Sequence, residues 1–256
     1  MRGIWFHDGS SGCEVRPASL PFRPDGIKGS LTDINARAVW LTRSRSRTPR
    51  DLASVGPHLS IVLSGDVLYR YASTTQALGR GDFAYLDVAS DSLEEDCEGD
   101  AWRLLISVHE WMPSVVGPSA SLPTVPRHGR PTMSWLYDDG GHSRTEPFRW
   151  PHSLLEVPEV RQWPRLQGGF VYLKTYPGDN AVFSDRHCSP RRQLAITLAG
   201  NGANETCDGT RVALEAGDLA LIEDTSGHGH LTLGQSTRVV LFLALAPGQL
   251  ELIREY

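Results

Sequence analysis

The sequence predicts an all-β chain built from two tandem copies of one β-barrel, and three observations predict it. A series of apolar runs in the first half returns in the second, in the same order and at nearly constant spacing. The runs are short, rich in β-branched residues, and closed by Gly-Asp, Asp-Gly and Pro-Gly turn signals, with almost no sustained helical period. Between the copies lies a stretch too rich in proline to belong to either.

In chain order, Ile4-Trp5-Phe6-His7-Asp8 reads as the opening strand of the first copy and matches Ser134-Trp135-Leu136-Tyr137-Asp138. Ala38-Val39-Trp40-Leu41 matches Phe170-Val171-Tyr172-Leu173 as an early strand, which makes Trp40 and Tyr172 candidates for lining the two interiors. The run from Arg43 to Arg50 follows; it reads as a solvated loop, with an anion clamp at the barrel mouth as the sharper alternative. Leu59 to Gly65 matches Leu194 to Gly200, an apolar strand ended by a turn glycine in both copies. Leu78-Gly79-Arg80-Gly81-Asp82 and the strand to Asp87 match Leu214 to Glu223 through a shared Gly-Asp turn, and Trp102 to His109 matches Thr237 to Ala244 with Arg103 set against Arg238. The domains predicted are residues 1–112, a Pro-rich linker at 113–131 carrying prolines 113, 118, 123, 126 and 131, and residues 132–256. Short helices are expected only near Leu154 to Val160 and Gln249 to Glu255.

A hydrophobic fraction of 40% and a charged fraction of 21% fit a globular protein with a sizeable core. The net charge of −5 argues against nucleic acid as a partner, because phosphates call for a basic surplus. The longest apolar run, Val239 to Ala246, has the length of a strand rather than of a membrane helix. The start, Met1-Arg2-Gly3-Ile4, lacks the apolar core of a secretory signal, so a cytoplasmic protein with reduced thiols at Cys13, Cys97, Cys188 and Cys207 is expected.

The C-terminal copy resembles the cupin superfamily of jelly-roll barrels. Its first motif stands here as His187-Cys188-Ser189-Pro190-Arg191-Arg192-Gln193 leading to Gly200, and its second runs from Gly217-Asp218 to Glu223-Asp224-Thr225-Ser226-Gly227-His228-Gly229-His230. The wording P-R-R-Q and E-D-T-x-G-x-G-H, with Leu136-Tyr137-Asp138-Asp139-Gly140-Gly141-His142-Ser143 before it, is similar to a group of small bacterial cupins. The resemblance implies a bicupin whose second barrel holds the active site. It also implies a divalent metal (Zn, Fe, Mn or Ni) on His187, Gln193 and His230, although Ser189 replaces the second histidine of the usual pair and Gln193 the usual glutamate. His230 fits the E-D-T-x-G-x-G-H wording and His228 the stricter spacing after Gly217.

In the first copy the equivalent positions are Leu52, Ser54 and His58, and no histidine follows Asp87 where the second copy has its late pair; that barrel is expected to be structural. Tyr172 and Ser189 are expected in the substrate pocket, with Glu223 and His228 as catalytic acid or base. Glu223 and Asp224 are adjacent, so on a strand only one of them can face the interior. With a reduced ligand set, polar chemistry is favoured: an isomerase, cyclase, hydratase or lyase acting on a small molecule without an organic cofactor. The alternatives are a non-catalytic binding or sensory cupin and a metal-dependent dioxygenase. No membrane partner is expected, and a homodimer is allowed.

Overall fold

The computed structural model of the chain describes residues 3–9, 12–19, 34–44, 57–71, 74–87, 93–108, 114–115, 131–147, 168–176 and 185–245. Among them the regular structure is all β, and no helix is long and apolar enough to cross a membrane. The two short helices expected from the sequence, Leu52, Ser54, and residues 45–50 of the arginine run lie outside the described residues.

Residue contacts divide the chain into two compact units. The first holds β1 (Gly3–Gly9), β2 (Gly12–Ser19), β3 (Ile34–Ser44), β4 (His58–Tyr71), β5 (Thr74–Leu78), β6 (Phe83–Asp87), β7 (Leu93–Val108) and β8 (Ser114–Val115). Its strands lie in the order β3-β7-β4-β6-β1-β2-β8, with β5 paired to the far half of β4. The second holds β9 (Met133–Asp139), β10 (His142–Pro147), β11 (Gly168–Tyr176), β12 (Gln193–Ala199), β13 (Asn201–Glu205), β14 (Arg211–Glu215), β15 (Leu219–Ile222), β16 (Leu231–Gly234) and β17 (Arg238–Leu245). Its order is β11-β17-β12-β15-β9-β10, with a smaller sheet β16-β13-β14. Apart from β8, which has no counterpart among the described strands of the second unit, the two orders are the same. Where β4 and β7 run through as single long strands, the second unit breaks each into two, and in both units the opening strand pairs parallel to its partner, β1 with β6 and β9 with β15.

The turn residues repeat as well. Gly200 (φ 73°) sits where the chain passes from β12 of the larger sheet to β13 of the smaller, and Gly65 (φ 76°) holds the matching place within the continuous β4. A Cβ on Gly200 would lie 2.0 Å from the Thr237 carbonyl oxygen, and one on Gly65 would lie 2.7 Å from that of Asp100. Gly200→Ala is therefore expected to cost about 3 kcal/mol or more, whereas Gly209→Ala, at a turn with a φ of 82° and nothing within 4 Å, should cost only about 1 kcal/mol. Urea titration of the two variants checks this; equal midpoints would remove the close approach as the reason for the glycine. The Gly-Asp turns are also built alike. Gly81 and Gly217 each donate at 2.7 Å to the neighbouring strand, at Val62 and Thr197, and Asp82 and Asp218 each accept a backbone N–H three residues upstream.

Two expectations need correction. Arg103 does not correspond to Arg238: it lies opposite Val62, whereas the residue opposite Thr197, the counterpart of Val62, is Val240. Ala101 is the counterpart of Arg238, since it is Ala101 that crowds Gly65 and Arg238 that crowds Gly200. The slip is one full pleat period, which leaves the apolar alternation intact. The second correction concerns the predicted linker, whose early residues do join a ladder: β8 pairs with the end of β2 through Ala18 and Val115. Two residues at a sheet edge, between Pro113 and Pro118, are short enough for proline to allow it.

The shared register lets the two interiors be compared position by position. The first unit buries Val62, Val67, Tyr69, Leu78, Leu86, Leu93 and Ala101 in one cluster. The second places Thr197, Gly202, Asn204, Leu214, Ile222, His230 and Arg238 there. Its apolar cluster instead gathers Leu136, Tyr172, Tyr176, Ala195, Ala220, Val240 and Phe242. One topology thus encloses two different interiors: the polar groups of the first are paired as Arg103 with Glu95 and Tyr69 with Ser60, and those of the second stand at other positions.

Candidate functional site

The site is assembled by two sequence motifs that dock on each other. The Gly140-Gly141 turn (φ 60° and 90°) closes the β9–β10 hairpin. Asp138 ties this turn to the later motif, accepting from Gly141 N at 2.7 Å and from the Ser226 hydroxyl at 2.6 Å. Ser143 donates to the Gly229 carbonyl at 2.7 Å, and His228 N donates to the Gly141 carbonyl at 2.9 Å. The two loop glycines are required by this docking: a Cβ on Gly227 would meet Gly141 O at 2.4 Å, and one on Gly229 would meet His187 O at 2.1 Å. With that space free, His187 and His230 exchange two backbone hydrogen bonds of 3.0 Å as an isolated bridge, and their ring centres lie 4.7 Å apart, tilted at 47°.

His230 is buried, and its Nδ1 lies 2.7 Å from Oδ2 of Asp224, which is itself fully enclosed. This contact leaves Nε2 as the working nitrogen of His230. Asp224 follows Ile222 on the interior side of β15, and its other carboxylate oxygen has no hydrogen-bond partner among the described residues. His187 is half-buried, with Nδ1 3.1 Å from the Asp185 carbonyl. Burial, followed by the nearby His230, pushes the pKa of His187 below the ordinary 6.5. A histidine depressed in this way binds its proton more weakly folded than unfolded, so its contribution to stability falls away as pH drops below about 6.5. Melting temperatures between neutral and mildly acid pH should therefore decline less steeply in His187→Gln than in the parent; identical slopes would sink this assignment.

Behind the histidines runs a fixed polar chain. Tyr172 OH donates to Gln193 Oε1 at 2.7 Å, Gln193 Nε2 donates to Ser189 Oγ at 3.0 Å, and Ser189 Oγ donates to the Arg191 carbonyl at 2.6 Å. Tyr172 stacks on Phe242 at 4.9 Å, and burial pushes its hydroxyl up to about 12, so it serves as a donor at neutral pH.

Of the residues expected from the sequence, the structure brings together His187, His230, Gln193, Ser189 and Tyr172. It does not bring Glu223 or His228 to them. Glu223 accepts from Trp135 Nε1 at 2.7 Å, and Trp135 alternates with the core residue Leu136, so both face away from the interior. The interior carboxylate is Asp224. His228 is exposed and stacks on His142 at 5.3 Å. Strand alternation would place His228 beside His230, but the positive φ of Gly227 and Gly229 turns the loop over between them.

The metal expectation is tested by the donors themselves. Two imidazoles converge, but the Gln193 amide is engaged at both ends and Asp224 stands behind His230 on its Nδ1 side. Among the described residues no group of three or more His, Cys, Asp or Glu is arranged to hold an ion. These residues do not fit a resident metal, so the chemistry derived below belongs to the side chains.

Three interior residues escaped the sequence reading. Lys174 and Tyr176 share the inward face of β11 with Tyr172, and Arg238 lies opposite Tyr176 on β17. A lysine between two tyrosines was the available signal, since inside a strand alternation of apolar residues a charged one is out of place.

No family model matches the sequence, and no curated protein does. Solved structures with a similar course of chain include a cupin 2 conserved barrel domain protein from Leptotrichia buccalis, 11% identical over 85% of this chain and 88% of the other, with a TM-score of 0.37. Protein Ylba from E. coli is 12% identical over 88% and 86% with a TM-score of 0.34, and Bacillus subtilis oxalate decarboxylase, described with Mn(II) centres, is 10% identical over 84% and 67% with a TM-score of 0.26. Identities this low bring no function with them.

Proposed function

We propose that the chain is a bicupin in which the first barrel is structural and the second is a small-molecule enzyme working by proton transfer. The single observation that carries this reading is the buried Asp224–His230 pair, 2.7 Å apart, facing the His187 ring at 4.7 Å. Asp224 orients His230 and stabilises the imidazolium formed when its Nε2 takes a proton. His187, held neutral by burial, stands opposite as a hydrogen-bond partner for the reacting group. The Tyr172 hydroxyl, whose single proton goes to Gln193, holds that amide in place and so fixes the polar wall of the interior. Such a set suits isomerisation, hydration or elimination; dioxygenase chemistry needs a third metal donor that the described residues do not supply.

The test is to incubate the full chain with a small-molecule cell extract and follow the metabolites by mass spectrometry. The parent should consume at least one compound that His230→Ala and Asp224→Asn leave untouched. Indistinguishable profiles for the three proteins, all folded by circular dichroism, would overturn the enzyme reading and leave a binding barrel.

A further inference from the structure

We infer that the ligand of the C-terminal barrel is a small organic anion whose carboxylate is held between Lys174 and Arg238; this rests on the interior being a ligand site, as just proposed. Lys174 is one of two lysines in the chain and projects inward from β11 between Tyr172 and Tyr176, opposite the core residue Val240. Its ammonium lies 4.6 Å from the centre of the Tyr176 ring, and among the described residues it has no hydrogen bond and no carboxylate. Arg238 is only 3% exposed. Its Nε and Nη2 donate to Thr197 Oγ1 at 3.2 and 2.9 Å, and its guanidinium carbon is 6.0 Å from the same Tyr176 ring. No ion pair joins it to a described carboxylate; Asp218, whose charge it feels, is occupied by the N–H groups of Thr132 and Glu215.

A half-buried lysine and a buried arginine therefore meet at one aromatic ring, and among the described residues a hydroxyl is their only hydrogen-bond partner. Desolvating a charge without a counter-ion is expensive, so such a pair is maintained for a charge that arrives from outside. The first unit shows the alternative, since its buried Arg103 carries its own counter-ion in Glu95. The register counterpart of Glu95 in the second unit is Thr232: Glu95 pairs with Tyr69 where Thr232 pairs with Asn204. Asp224 does not replace it, because it is committed to His230. The second barrel carries a buried charge of its own, at the position of Ala101, and has no acid at the position of Glu95. Burial pulls Lys174 below its ordinary pKa and, with only partial relief from Tyr176 and Asp218, pulls Arg238 down to about 10; a bound anion would oppose both shifts. The flanking Tyr172, Tyr176 and Phe242 favour a carboxylate on a carbon frame over free phosphate.

Malonate, its neutral match malonamide, and inorganic phosphate are titrated into the full chain by calorimetry, with thermal melts alongside. Malonate should bind at least about tenfold more tightly than malonamide or phosphate, and Lys174→Met should weaken it about tenfold. Lys174→Met should also raise the melting temperature of the unliganded protein, because it removes an uncompensated charge while keeping the side chain's volume. Equal binding of malonate and malonamide, preference for phosphate, or no malonate binding at tens of millimolar would overturn the inference. So would a lower unliganded melting temperature in Lys174→Met, which would reveal a partner inside the protein. A neutral compound that binds in a His230-dependent manner while malonate does not would leave the proton-transfer reading standing and remove only the anion.

Discussion

Replacing Glu95 by alanine should destabilise the first unit by about 3–5 kcal/mol, because it strands the guanidinium of Arg103 in an interior where both side chains have essentially no exposure. Arg103 and Glu95 are eight residues apart on β7, and the pair stands beside a second polar contact in the same interior, Tyr69 OH to Ser60 Oγ at 2.8 Å. The companion experiment is the double substitution Arg103→Met with Glu95→Leu. Removing both charges and filling the space with apolar atoms should recover most of the loss, since the pair's attraction does little more than offset its own desolvation. Denaturant titration of the single and double variants measures the coupling directly. A single variant within about 1 kcal/mol of the parent would show that water or a different counter-ion reaches Arg103, and the view of the first barrel as a closed structural copy would fall with it.

Asp224→Asn should lower turnover of whichever compound the parent consumes by about three to four orders of magnitude while leaving substrate affinity nearly unchanged. The amide cannot stabilise the imidazolium and can present its N–H₂ to Nδ1, which would force the tautomer with the proton on Nε2, where a base must be unprotonated. His230→Ala should cost a similar factor, and the double variant little more than either alone, because the two groups act as one unit. Additive losses would mean that Asp224 and His230 work independently, and a loss expressed only in KM would make the pair a binding device rather than a proton-transfer device.

The repeat carried most of the fold in legible form. Strand alternation, Gly-Asp turns and corner glycines are local, and each half dictated the same order of strands through them. The polar chain Tyr172–Gln193–Ser189 was legible for the same reason, since the three residues stand at inward positions fixed by strand parity and by the bend before β12. What a period of two cannot fix is a slip by a whole period. Arg103 was matched to Arg238 when its counterpart is Val240, and the apolar pattern is identical under either choice. Loop direction was equally hidden. Gly227 and Gly229 take left-handed backbone that reverses the alternation, sending His228 out to His142 and His230 in to Asp224.

The choice between Glu223 and Asp224 was posed by the sequence and could be made only in three dimensions. It depends on Trp135, 88 residues away in the chain, donating its indole N–H to Glu223 on the side away from Leu136. The anionic preference inferred for the second barrel is of the same kind. The sequence determined that Lys174, Arg238 and Thr232 exist and lie on strands; only the tertiary structure decided that the lysine and arginine meet at Tyr176, and that the glutamate which neutralises such a charge in the first unit has no equivalent in the second. The physical reason is that pattern and turn chemistry are written in neighbouring residues, whereas the cost of a buried charge depends on what lies across the barrel from it.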